Sequence, residues 1–158
     1  MSTQPEWDVL WNSTIERLKE KDDFILWSEE SLSVFTENEE NALIEKAKGL
    51  VVHYGSHSFL GVTYLITTFN ISSGIYSLAN RFALISPEGT LAWRYQKAYP
   101  VPFVEANVQP GPAILPIYES SRFGKLSGAI CFDLDFSNYI LSKFIHTLYI
   151  IKNKQHHT

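Results

Sequence analysis

Phe24-Ile25-Leu26-Trp27 is an uninterrupted apolar run. A strand with one wet face alternates apolar and polar side chains, so a continuous run fits a strand buried on both faces. Such a strand needs cover on two sides, and the chain must therefore fold in layers around a sheet. The flanking sequence supplies cover. Residues 7–20 place Trp7, Leu10, Trp11, Ile15 and Leu18 at helical spacing, and Lys21-Asp22-Asp23 ends that helix. A second helix is predicted over 38–52. Acidic residues open it, which suits the positive helix end, and Gly49 or Gly55 closes it. Residues 59–69, FLGVTYLITTF, are rich in β-branched and aromatic side chains and predict another strand.

Residues 80–97 predict a hairpin. Asn80 to Ile85 enters, Ser86-Pro87-Glu88-Gly89 turns, and Thr90 to Lys97 leaves. The Pro-rich stretch 98–116 reads as irregular. A strand is expected over 124–130 and a helix over 138–151. Mixed alternation of helices and strands points to an α/β sheet covered by helices. At 158 residues, one domain with a sizeable core is expected.

Composition narrows the function classes. The net charge of −4, with no basic run, gives no reason to expect nucleic acid. One cysteine rules out an internal disulfide framework and a Cys-rich zinc site. The first residues, MSTQPEWD, lack a signal-peptide pattern, and no stretch approaches the ~18 apolar residues of a membrane span. A cytoplasmic location is the expectation.

Three reactive residues fall at predicted strand ends, where sites gather in open α/β sheets. Glu29 follows the run 24–27, Lys97 ends 90–97 and Cys131 follows 124–130. Leu91, Trp93, Tyr95 and Lys97 share one strand face, so Lys97 continues an apolar surface. A lysine aimed inward must find a partner or lose its proton; otherwise it snorkels to the surface. Ser127, Ala129 and Cys131 also share a face, and their small size would let another layer approach. Taken singly, Cys131 reads as a small buried hydrophobe and Glu29 as a capping or surface acid.

Together, Glu29 in LWSEES, Lys97 in YQKAYPVPF and Cys131 in GAICFDLDF resemble the three signature segments of the nitrilase superfamily. The resemblance covers roughly residues 7–140. Within the superfamily it is most similar to the catalytic domain of the apolipoprotein N-acyltransferases, whose loop with a second acid Val101-Pro102-Phe103-Val104-Glu105 resembles. The resemblance implies a four-layer α-β-β-α sandwich and carbon–nitrogen acyl chemistry through a Cys thioester. Cys131 would be the nucleophile, Glu29 the general base and Lys97 the fixed cation. Glu105 would orient the leaving group or incoming nucleophile, and the N–H of Phe132 would be an oxyanion donor. Asp133 matches an acid of structural role. The substrate implied is a small-molecule or acyl amide or nitrile, with no cofactor and no metal. Hydrolysis and N-acyl transfer both stay open.

Other readings have less support. A Cys-His dyad would need His53, His57 or His146 near Cys131, and His156-His157 lies in a polar tail. Departures from the family pattern are also visible. Ser28 and Ser137 stand where relatives have Pro. The family's first strand has no counterpart ahead of the first helix, and LSKFIHTLYIIKNKQHHT diverges from its usual continuation. The expectation is a partial carbon–nitrogen hydrolase domain over 1–140, a divergent tail over 141–158, and a sandwich incomplete on its C-terminal side and at its first strand. Such a chain would be inactive alone. The alternative is a non-catalytic fragment that associates with a full-length homologue. Homo-oligomers and a membrane-associated parent are further implications of the resemblance.

Overall fold

A computed structural model of the chain describes residues 5–70, 74–141 and 148–153. His146 and the His156-His157 tail lie outside the described residues. The elements are α1 (Pro5–Glu20), β1 (Phe24–Leu26), β2 (Leu32–Val34), α2 (Glu37–Tyr54), β3 (Phe59–Asn70), β4 (Ile75–Ile85), β5 (Leu91–Gln96), β6 (Tyr118–Ser120), β7 (Gly124–Ile130), a 3-10 helix (Cys131–Asp135), α3 (Ser137–Leu141) and β8 (Leu148–Asn153).

Two sheets form. The first runs β1-β3-β4-β5, with β2 also on β3; the second runs β6-β7-β8. β3 pairs in parallel with β1 and β2 and antiparallel with β4, which pairs antiparallel with β5. Strand alternation divides the first sheet's side chains between two cores. Leu60, Val62, Tyr64 and Ile66 of β3, with Ala79, Ala83 and Ile85 of β4, pack with Trp11 and Leu18 of α1 and Leu43, Ala47 and Val51 of α2. Phe82 and Leu84 of β4 and Trp93 and Tyr95 of β5 share the other core with Leu126 and Ile130 of β7. The layers thus run helices, sheet, sheet, in the order expected of the sandwich.

The local chemistry agrees with the elements. Thr36 caps α2, its hydroxyl accepting from Glu39 N at 3.1 Å, and Gly55 ends it. Glu37, Glu39 and Glu40 occupy the first turn, where the helix dipole favours acids. Trp27 is buried edge-to-face on Trp11, and its Nε1 donates to Thr14 Oγ1 at 2.9 Å. This contact pins α1 over β1. Gly89, at φ 72, makes the β4–β5 turn that Pro-Glu-Gly predicts.

Two expectations are corrected, and two short strands escape the sequence pattern. β2 and β6 are three-residue strands, too short to show a period. β4 begins at Ile75 rather than Asn80, as an extension along β3. The helix predicted over 138–151 ends at Leu141, and Leu148–Asn153 is a strand parallel to β7. Periodicity alone cannot separate a short apolar strand from a buried helix, and Tyr149-Ile150-Ile151 has strand composition. The two sheets approach closely at Gly128, where a Cβ would overlap the Trp93 ring.

Candidate active site

β1, β5 and β7 converge with their carboxyl ends on one cavity of about 690 Å³. Glu29, Lys97 and Cys131 all line it, as do Glu30 and Glu105. Leu65, Leu78, Val101 and Val108 supply apolar wall. The loop between β5 and β6 forms one side. It is tied to β4, with Leu78 N donating to Asn107 O at 3.0 Å and Gln109 N to Leu78 O at 2.7 Å.

Lys97 is the centre of the charge network. It is only 1% exposed, and its Nζ donates to Glu29 Oε1 at 2.9 Å and to both oxygens of Glu105, at 2.9 and 2.7 Å. Burial works against the ammonium, but the hydrogen bonds and charges of Glu105 and Glu29 outweigh it and hold Lys97 above the ordinary lysine range. Lys97 is therefore a fixed cation. Glu105 is held in turn by the Val101 N–H, which donates to its Oε2 at 2.6 Å. Asn80, fully buried on β4, donates from Nδ2 to Glu29 Oε1 at 2.9 Å and more distantly, at 3.4 Å, to Glu30 Oε1.

Cys131 follows β7 as the first residue of the 3-10 helix and takes φ 45. Positive φ is costly for a non-glycine residue. Three of the four non-glycine residues with positive φ among those described, Glu30, Phe103 and Cys131, line this cavity. Burial raises the Cys131 thiol above its usual range, and the Glu29 carboxylate adds to the rise while Lys97 opposes it. The resting group is a thiol with an acid at hand. Phe132 follows in the same short helix, its ring against Phe136 at 5.4 Å.

Asp133 builds the corner beneath these residues. One oxygen accepts from Ala98 N at 3.1 Å and Tyr99 N at 2.7 Å, just past Lys97. The other accepts from Ile130 N at 3.1 Å, just before Cys131, and from Tyr95 Oη at 2.8 Å. One buried carboxylate thus ties the ends of β5 and β7 together. It is occupied by protein donors, which agrees with a structural role.

The fold has known parallels. The structure superposes on an amidase from Nesterenkonia sp. AN1, a cysteine mutant in complex with butyramide, with a TM-score of 0.67 at 14% identity over 93% of this chain. A glutamate mutant of that amidase, showing the result of Michael addition of acrylamide at the active site cysteine, gives 0.66 at 14% identity over 93% of this chain. Nit3 of Saccharomyces cerevisiae, a member of branch 10 of the nitrilase superfamily, gives 0.63 at 17% identity over 89%. This is the nitrilase-superfamily fold. The chain spans 58%, 60% and 55% of the length of those three structures. No protein-family model and no curated protein matches the sequence, so the likeness is carried by structure.

Within the nitrilase fold, the sequence-predicted Glu29, Lys97, Glu105 and Cys131 meet at one place. Among the described residues, neither histidine joins them. His57 precedes β3 and bonds Arg122 at 2.7 Å, beyond the amino ends of the strands, and neither His53 nor His57 lines the cavity. Sequence reading missed Asn80 and Glu30. Asn80 had a signal in its parity: it shares a face of β4 with Phe82 and Leu84, a polar side chain on an apolar surface. Glu30 stood beside Glu29 in the sequence without a pattern to separate the two. No helix among the described residues is long and apolar enough to cross a membrane.

Proposed function

We propose that this chain performs carbon–nitrogen acyl chemistry through a thioester on Cys131. The observation that carries this reading is the Lys97 ammonium held between Glu29 and Glu105 on the wall of the cavity that holds Cys131. In the reaction, Glu29 takes the thiol proton as sulfur attacks the amide carbonyl. The carbonyl oxygen gains negative charge, which Lys97 and the N–H of Phe132 stabilise; a preorganised donor of this kind is worth roughly 3 kcal/mol. The C–N bond then breaks, and Glu29 returns the proton to the departing amine, leaving the acyl-enzyme. Glu105 fixes the ammonium and orients the leaving or entering group. Water attacking the thioester gives an amidase, and an amine gives an N-acyltransferase. The likeness to amidases supports the first class, and the likeness of the Val101–Glu105 loop supports the second.

Mass spectrometry of the intact chain tests this. With p-nitrophenyl acetate or acrylamide, the wild type is expected to gain one adduct, mapped to Cys131, and Cys131→Ala none. Equal adducts in both proteins eliminate Cys131 as the nucleophile. Adding an amine to the acetylated chain separates the two classes: acetate as sole product marks hydrolysis, and amide formation marks transfer.

A further inference from the structure

Among the described residues two side chains donate to Glu29, and both end on the same one of its two carboxylate oxygens. Lys97 Nζ and Asn80 Nδ2 each reach Oε1 at 2.9 Å. An oxygen already accepting two donors is a poor acceptor for a third proton. The other oxygen, Oε2, accepts from no side chain among the described residues, and Cys131 lines the same cavity as Glu29.

Asn80 is well placed to enforce this choice. It is fully buried, paired across β3 with Leu65, and its backbone carbonyl accepts from Lys97 N at 2.9 Å. The strand pairing that sets Lys97 therefore also sets the Asn80 amide. Its own Oδ1 has no hydrogen-bond partner among the described residues. An unpaired buried acceptor is costly, so the amide is oriented by the acids on its nitrogen side rather than by a full set of partners.

We propose that Asn80 is a positioning residue for the base: with Lys97 it occupies Oε1 of Glu29, so that Oε2 receives the proton of Cys131. This rests on the acyl-enzyme reading above. The thiol proton moves to Oε2 as the S–C bond forms, and the same proton leaves with the amine as the C–N bond breaks. The charged and titratable groups facing Glu29 are Glu30 on its own loop, Lys97 at the end of β5, Glu105 on the loop beyond, and Cys131 after β7. A neutral donor favours the ionised carboxylate. Asn80→Leu removes that donor, keeps similar volume and leaves the backbone bond to Lys97 in place.

The test is the pH profile of acylation by p-nitrophenyl acetate, followed as the nitrophenol burst, with Cys131→Ala as background. In Asn80→Leu the acid-side midpoint is expected to rise by about one pH unit, so that acylation on the acid limb is about tenfold slower. Asn80→Ser, smaller and neutral, is expected to shift the same way and serves if the leucine variant does not fold. A midpoint equal to wild type, with only a smaller burst or a lower melting temperature, overturns the proposal, since a merely structural role moves those two readouts alone. If the wild type gives no burst at Cys131, the acyl-enzyme reading itself fails, a result distinct from an unshifted midpoint.

Discussion

Trp93 of β5 packs against the bare backbone of Gly128 on β7, so the two sheets meet where one of them carries no side chain. Phe82, edge-to-face with Trp93 at 4.9 Å, completes the contact. Any Cβ at position 128 would overlap the indole, and close-packed interiors have no room to yield. Gly128→Ala is expected to lower unfolding free energy by about 2 kcal/mol, the usual scale of overpacking. Urea denaturation measures it. Combining it with Trp93→Phe should recover part of the loss, and no recovery would show that the strain lies elsewhere.

Removing Lys97 should do more than abolish chemistry. Lys97→Met leaves the Glu29 and Glu105 carboxylates, both on its Nζ, facing each other without the intervening charge. Breaking a buried ion pair from one side typically costs ~3–5 kcal/mol. Urea denaturation at neutral pH would show it, and a loss under about 1 kcal/mol, the scale of an exposed pair, would refute the buried-pair account.

The thiol should report its neighbours. Burial and then the Glu29 charge raise the Cys131 pKa, and Lys97 opposes them. Glu29→Gln removes a raising cause, so alkylation by iodoacetamide should reach its midpoint at lower pH than in wild type. Lys97→Met removes the opposing cause and should move the midpoint up. Opposite shifts in the two variants are the signature, and parallel shifts would contradict it.

On the helical side of the first sheet, Glu40 is the acid to watch. Burial alone would raise its pKa, but the Tyr64 hydroxyl at 2.5 Å and the Arg81 guanidinium at 2.8 Å outweigh it, and the net direction is down. A depressed carboxyl pKa contributes stability that is present above the unfolded value, near 4.5, and is lost as pH falls through the folded value. Glu40→Gln should therefore be less stable than wild type at neutral pH, by about 3 kcal/mol, and the gap should close in acid. Parallel stability curves would refute the linkage.

Much of this arrangement is legible in the sequence. The apolar run at Phe24–Trp27 demanded a covered strand, and alternation along β5 put Lys97 on the face of Trp93 and Tyr95. Those two facts fix where an acid and a lysine can meet. What escaped was set by tertiary contact. Gly128, of the opposite parity to Ser127 and Ala129, admits the indole. Asn80 looked like the first residue of a hairpin and proved to be the middle of a long strand. Its role depends on Glu29, 51 residues away, which no local pattern reports.

The left-handed backbone at Glu30, Phe103 and Cys131 has a practical consequence for anyone wishing to harden this protein. Glycine would relax each of those positions, so the cheapest gains in heat resistance sit in the rim of the cavity itself. Of the three, only Phe103, almost wholly in solvent, can be exchanged without touching an acid or the thiol. Evolution toward robustness and evolution toward turnover would pull on the same few torsions, and in opposite directions.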